Sequence, residues 1–224
     1  NAPAALYNGM ILPICNFTAK GFIWYQGESN RGNWYDYTKL QVAQVKLWRE
    51  IWGNDKMPFY ITQIAPYCYE GPKKRLNAIF IDQQYKAADL IENCDVACTQ
   101  DAGDYSHIHP LEKKKTATRL ALLALANDYG IEGLPAKAPR FNYFIVKGNK
   151  LELYFKNIAP PYTTDPLDYR MSSCFYGREE AKGFEVAGED GKFYPAKGNH
   201  KWYRNTIEVW SDSVPEPVAV RYAY

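Results

Sequence analysis

Residues 21–30 read Gly-Phe-Ile-Trp-Tyr-Gln-Gly-Glu-Ser-Asn, an apolar run that passes directly into a polar loop. A run without alternation is typical of a strand covered on both faces of a parallel sheet. We therefore predict such a strand over 21–25, with residues 26–30 at its carboxyl end. Because ligands of open parallel sheets bind beyond that end, residues 26–30 form the first candidate site.

The sequence on either side of this run alternates between strand and helix patterns. Apolar runs predict strands over 59–64 and 96–99, and helical spacing of apolar side chains predicts helices over 40–52, over 76–91 and from near Pro110 to before Gly130. Such alternation predicts parallel strands joined by right-handed crossovers, which is an α/β fold.

The pattern changes at residues 134–139, Leu-Pro-Ala-Lys-Ala-Pro. Beyond it, strands are predicted over 141–146, 151–155, 183–187, 193–197, 206–210 and 218–222, the first two joined by a turn at Gly148-Asn149. No helical periodicity follows. We predict two domains, an α/β domain over 1–136 and a small all-β, sandwich-like module over 137–224.

Composition excludes several classes of protein. Hydrophobic residues make up 46% and charged residues 23%, which is typical of a globular chain. A net charge of +2, spread along the chain, gives no electrostatic footprint for nucleic acid, and no apolar stretch has the length of a membrane span. The five cysteines lack metal-ligand spacing and are predicted to be small buried apolar residues.

A second polar loop, residues 101–110, follows the strand predicted at 96–99 and holds two of the three histidines. His109 directly precedes Pro110, which predicts a place at the first turn of the next helix, where the helix dipole favours a neutral imidazole base. An aspartate in the same loop would hold its tautomer. The alternative is a helix-capping loop with surface histidines.

The first loop offers groups that stabilise negative charge. Gln26 carries an amide donor, and Gly27 permits a close approach of the backbone to a substrate oxygen. Ser29 lies in Gly-Glu-Ser-Asn-Arg, which matches the first four positions of the G-x-S-x-G nucleophile elbow, but Arg31 replaces the second glycine. Ser29 is therefore a weak candidate nucleophile. Glu28 would orient the pocket or pair with an arginine.

Three stretches together resemble the sialate O-acetylesterase family: Ala5–Ile11 (ALYNGMI), Trp24–Asn30 (WYQGESN) and Ile108-His109-Pro110. Further matches are Pro58-Phe59-Tyr60, Gln63, Ala65-Pro66-Tyr67, Gly183-Phe184, Ala187-Gly188, Asp190-Gly191 and Val220–Ala223. That family belongs to the SGNH hydrolases. The resemblance implies a three-layer α/β/α sandwich, of which this chain would be a part, and removal of acetyl groups from sugar hydroxyls by a metal-free serine mechanism. It also implies an O-acetylated sugar or glycan as partner and a secreted, periplasmic or lysosomal-type location.

The resemblance also implies roles for individual residues. It makes Gln26 the oxyanion donor and His109 the catalytic base. Gly27, Glu28 and Asn30, in the same loop as Gln26, are predicted to bind the substrate. The acidic partner of His109 stays open between Asp104 and Asp101. The superfamily often has an aspartate three residues before the histidine, where this chain has Ser106. Asp104 with His107 is a competing pair.

The sequence departs from the family at the nucleophile. The family's serine lies in an upstream Gly-Gln-Ser-Asn-Met-type block, and these residues contain no such block. We therefore expect the nucleophile on a preceding segment or companion chain, so that this chain alone is an incomplete esterase. Two alternatives stay open: a non-catalytic protein that binds acetylated glycan or is structural, and a hydrolase that uses Ser29.

Overall fold

A computed structural model describes residues 4–69, 75–158, 180–201 and 204–223. Its first sheet contains β1 (Phe22–Tyr25), β2 (Phe59–Thr62) and β3 (Cys94–Ala97), in that order. Both pairings are parallel. The predicted α/β class with a parallel sheet is confirmed, although β3 begins and ends two residues before the predicted strand.

Helices lie on both faces of this sheet. They are α1 (Trp34–Ile51), α2 (Leu76–Leu90) and α3 (Lys113–Asp128). Val45 of α1 and Ala87 of α2 share a buried cluster with Ile61 on one face. On the other face, Leu123 of α3 packs with Tyr60. The arrangement is therefore three-layered, as the resemblance implied.

β1 lies at the edge of the sheet, and only one of its faces is covered. Phe22 and Trp24 pack against Trp48 of α1, but Ile23 is 70% exposed. The prediction that this strand is covered on both faces is wrong, because α3 packs against β2 and β3 instead. All four residues of β2, the central strand, are buried.

The described part of the chain after residue 139 is antiparallel. It contains β4 (Arg140–Lys147), β5 (Lys150–Lys156), β6 (Phe184–Ala187), β7 (Phe193–Pro195), β8 (Lys197–Lys201), β9 (Thr206–Trp210) and β10 (Ala219–Tyr222). The sheets run β4-β5-β9-β8 and β10-β6-β7, around a core that includes Leu151, Val186 and Ile207. The predicted turn joins β4 to β5, with Gly148 at φ +61°.

One strand, β8, was not predicted from the sequence. The segment predicted as a single strand over 193–197 is split at Ala196, and β8 follows it. Residues 197–201 are Lys-Gly-Asn-His-Lys, which carry no apolar alternation. β8 is a strand because its backbone pairs with β9 from Lys197 to Lys201.

The cysteines follow the burial prediction only in part. Cys98 is buried, Cys15 and Cys94 are half-buried, and Cys68 is exposed. Cys174 lies outside the described residues. Among the described helices, none has the length and apolar character needed to cross a membrane.

Replacing Ile61 by Ala should lower the free energy of unfolding by about 2–5 kcal/mol, because the side chain is fully buried and its loss leaves a cavity. The matched control is Ile23→Ala on β1, which should cost less than about 0.5 kcal/mol in chain 1–224. Urea unfolding followed by circular dichroism measures both. Equal losses would contradict the open face of β1.

Candidate active site

The side chain of Gln84 separates the carboxyl ends of β1 and β2. The parallel pairing of the two strands ends at Tyr25 and Thr62. Just beyond, Gln84 Nε2 donates to the carbonyls of Thr62 (3.1 Å) and Gln26 (3.4 Å), and its Oε1 accepts from the amide of Ile64 (3.0 Å). Gln84 is fully buried on α2. Its side-chain amide therefore forms hydrogen bonds with backbone groups of both segments at the point where the two strands stop pairing.

Gly27 is required by the turn that follows β1. Its φ is +149°, and an added Cβ would lie 2.5 Å from the Phe80 ring. A short 3₁₀ helix, Glu28–Asn33, begins directly after it. Within this turn, Gln26 Nε2 donates to Asn30 Oδ1 over 2.6 Å, so Asn30 orients the predicted oxyanion donor. Ser29 is exposed.

Arg119 anchors the loop that follows β3. Its guanidinium, 2% exposed, donates to both carboxylate oxygens of Asp101 (2.5 and 2.9 Å) and to the Cys98 carbonyl (2.8 Å). Burial acts to raise the pKa of Asp101, but the hydrogen bonds and charge of Arg119, with the charge of Lys115, outweigh it and lower the pKa. Asp101 thus forms ion pairs with Arg119 and Lys115 of α3.

Asp104 shapes the turn before His109. Its Oδ1 accepts from the amide and hydroxyl of Ser106 (2.8 and 2.6 Å) and from the amide of His107 (3.3 Å). The bonds from Ser106 lower the pKa of Asp104. Both histidines are exposed, and no hydrogen bond within the described residues reaches the ring of His109. The pairing of Asp104 with His109 therefore stays a prediction.

α3 begins at Lys113, three residues later than predicted. Glu112 has a ψ of +67°, outside the helical range, and the Lys113 amide donates to the Leu111 carbonyl over 2.8 Å. The prediction that Pro110 occupies the first helical turn is wrong. The dipole argument for a neutral His109 is lost with it, because the dipole acts within the first turn.

A third loop, residues 63–69 after β2, joins the other two. The Thr99 hydroxyl donates to the Gln63 carbonyl (2.8 Å), and the Cys68 amide donates to the Tyr105 carbonyl (3.1 Å). On the other side, the Arg31 guanidinium lies 3.2 Å from the Tyr69 ring centroid. The loops bearing Gln26 and His109 therefore both contact the loop after β2, at the sheet edge where the parallel topology predicted them.

Sequence reasoning missed the residues that hold this edge together, above all Gln84 and Arg119. Both are polar residues within helices, and the only available signal was their place on a helix otherwise rich in apolar residues. The described residues contain no group of three or more His, Cys, Asp and Glu side chains placed to hold a metal ion.

Comparison with known proteins relates the chain to esterases, although no protein-family model matches it. Mouse sialate O-acetylesterase is 31% identical over 99% of this chain and 42% of its own length. The human protein of the same name is 31% identical over 61% of this chain and 29% of its own length. This chain is a homologue of the sialate O-acetylesterases. A solved carbohydrate acetylesterase from Xanthomonas citri has the same fold, with a TM-score of 0.81, 32% identity and coverage of 99% of this chain and 49% of its own. The chain thus spans less than half the length of each of these relatives.

Gly27→Ala should destabilise the protein by at least about 1–3 kcal/mol, because the new methyl group overlaps the Phe80 ring at a positive φ. Gly32→Ala in the same loop is the control, since nothing lies within 4 Å of the added Cβ. Thermal unfolding compares the two. An unchanged melting temperature for Gly27→Ala would contradict the described turn.

Asp101→Asn should destabilise the protein at pH 7 by about 3 kcal/mol or more, because it leaves the buried Arg119 charge uncompensated. The folded pKa of Asp101 is lowered, so its contribution is fully present above the ordinary value of 3.8 and is lost as pH falls through the lowered value. The stabilities of the wild type and the variant should therefore converge below that pH.

Urea unfolding at pH values from 7 down to about 2 measures this convergence. The control is Asp212→Asn, which removes a carboxylate that pairs with Lys197 at the surface, where both side chains are mostly exposed. If the free energies of unfolding of Asp101→Asn and the wild type differed by the same amount at every pH, the Asp101 charge would not contribute to stability.

Proposed function

We propose that the protein is a carbohydrate O-acetyl esterase, which removes acetyl groups from sugar hydroxyls. The observation that carries the proposal is that the loops after β1, β2 and β3 lie at one sheet edge, with Gln26 on the loop after β1 and His109 on the loop after β3. The names of the relatives support it, since they are a sialate O-acetylesterase in mouse and human and a carbohydrate acetylesterase in Xanthomonas citri.

In the proposed mechanism, a serine hydroxyl attacks the acetyl carbonyl while His109 accepts its proton. The Gln26 amide donates to the oxyanion that forms, and Asn30 holds that amide in place. His109 then returns the proton to the departing sugar oxygen. Water, deprotonated by His109, hydrolyses the acetyl-enzyme and releases acetate.

Three further residues have assigned roles in this proposal. Asp104 is the carboxylate proposed to support His109, because both oxygens of Asp101 are bound by Arg119. Gly27 and Glu28 lie directly beside Gln26 and contact the substrate. Because the relatives are named for sialate and carbohydrate substrates, we propose that the reaction takes place outside the cytoplasm.

The nucleophile is proposed to come from a segment of the protein outside residues 1–224 or from a companion chain. Two observations support this. The chain spans 42% of the mouse relative, and β1 leaves Ile23 exposed at an edge that pairs, among the described strands, with β2 alone. A parallel strand and a helix on that segment would cover this edge and bring the serine to the carboxyl end of β1.

A second candidate function is binding of an acetylated glycan without turnover. One observation favours it, because no described serine hydroxyl donates a hydrogen bond to His109. In that case, the Gln26 and His109 loops recognise the acetyl group but do not react with it.

Hydrolysis of p-nitrophenyl acetate and of an O-acetylated sialic acid tests the proposal. The protein that includes the preceding segment should be active, and His109→Ala should lower kcat by about 10²–10⁴-fold. His107→Ala and Ser29→Ala are the matched controls in the same loops and should retain most of the activity. A fluorophosphonate should label a serine outside residues 1–224.

Other outcomes separate the alternatives. Activity of chain 1–224 alone that disappears only in Ser29→Ala would make Ser29 the nucleophile. Binding of the acetylated sugar without hydrolysis, even with the preceding segment present, would favour the non-catalytic function.

A further inference from the structure

A cavity of about 430 Å³ lies between α2 and the antiparallel strands. On one side it is lined by a single stripe of α2, formed by Ala78, Ile81, Asp82 and Tyr85. On the other side it is lined by residues of β4, β5, β6 and β10. Its volume falls within the range of small-molecule sites in proteins. None of the residues to which we assign catalytic or substrate-binding roles lines it.

Polar groups line the cavity at the carboxyl edge of the parallel sheet. Tyr85 donates its hydroxyl to Gln63 Oε1 (3.1 Å), and Gln63 Nε2 donates to Gln100 Oε1 (3.2 Å). Gln63 is 2% exposed and directly follows β2. A primary amide has two N–H donors, and this chain of hydrogen bonds uses one of those on Gln63. The polar part of the cavity can therefore hydrogen-bond a ligand.

Aromatic rings line the opposite wall. Phe141 and Phe155 pack edge to face at 6.2 Å, and Phe184 and Tyr222 pack at 4.8 Å. Aromatic rings at one wall and amide and phenol groups at the other match the two sides of a sugar ring, whose C–H groups pack on aromatic faces while its hydroxyls form hydrogen bonds.

Among the described residues, the three charged side chains that line the cavity each have a partner of opposite charge. Arg140 is bound by Asp89 (2.6 Å), Arg221 by Glu185 (2.5 Å) and Asp82 by Lys86 (2.6 Å). These pairs leave no uncompensated charge among the described lining residues, so the cavity favours an uncharged ligand.

The cavity shares the sheet edge with the candidate active site. Gln63 begins the loop that contacts both neighbouring loops, and Gln100 immediately precedes Asp101 in the loop that bears His109. We propose that the cavity is a binding site for an uncharged sugar unit of the acetylated glycan, beside the unit that is deacetylated. This inference rests on the proposed function, and it makes the preferred substrate an oligosaccharide.

Binding of uncharged sugars to the protein tests the inference. The probes are lactose and the matched pair methyl glucoside and methyl glucuronoside, which differ in one carboxylate. The readout is the NMR signals of the side-chain amides of Gln63 and Gln100. We expect saturable shifts with lactose and methyl glucoside, and binding of methyl glucuronoside weaker by at least about tenfold.

Two variants at the cavity should weaken lactose binding. Ala78→Trp fills the cavity, and Tyr85→Phe removes the hydroxyl that orients Gln63. The matched control is Leu90→Trp, an exposed site on the same helix. Melting temperatures show whether each variant folds, and Tyr85→Phe keeps the test valid if Ala78→Trp does not. Binding should fall at least about tenfold in Ala78→Trp and stay unchanged in Leu90→Trp.

The esterase assay separates this inference from the proposed function. His109→Ala should lower kcat for hydrolysis by about 10²–10⁴-fold and leave lactose binding intact, and Ala78→Trp should leave p-nitrophenyl acetate hydrolysis intact. The inference is overturned if lactose does not shift the amide signals, if methyl glucuronoside binds as well as methyl glucoside, or if Ala78→Trp and Tyr85→Phe both fold and bind lactose normally.

Discussion

The buried amide of Gln84 carries three hydrogen bonds at the place where β1 and β2 stop pairing: one to the Thr62 carbonyl, one to the Gln26 carbonyl and one from the Ile64 amide. Backbone groups left unsatisfied in the interior cost about 1–3 kcal/mol each. Two strands can therefore separate inside a protein only if another group replaces their mutual hydrogen bonds. Gln84 supplies that group, so the loops after β1 and β2 can diverge without a large loss of stability. It also holds the carbonyl of Gln26, directly before the turn at Gly27.

Arg119 performs the equivalent task at the loop that follows β3, with a charge instead of an amide. Its bonds to Asp101 and Cys98 tie the start of the loop to α3, while Asp104 organises the turn that precedes His109. The anchored part of this loop is buried, and its histidines are exposed. In the proposed esterase, this exposure leaves His109 accessible both to a substrate and to a nucleophile from another segment. The same edge continues into the cavity beside Gln63, where the protein's own ion pairs compensate the charges.

Much of the fold could be predicted from periodicity, because long apolar patterns report on burial directly. The parallel strands, α2 and the hairpin at Gly148 all lie within two residues of their predicted places. β8 could not be predicted, because its residues are polar and only the pairing with β9 makes it a strand. The start of α3 was also misplaced, since Pro110 signals a helix start but the ψ of Glu112 delays it. In the candidate site, the motifs indicated Gln26 and His109, whereas Gln84 and Arg119 carry no local signal.

The sequence by itself determined the class of the fold, the family and the two loops in which the chemistry is expected, because these depend on local patterns and on residues adjacent along the chain. Only the tertiary structure showed that Arg119 binds Asp101, which strand forms the edge of the sheet and where a cavity lies beside the site. These properties depend on which distant groups compete for the same partner. The sequence does not distinguish Asp101 from Asp104 as a partner of His109. In the folded protein, Arg119 lies eighteen residues further along the chain and binds Asp101 but not Asp104.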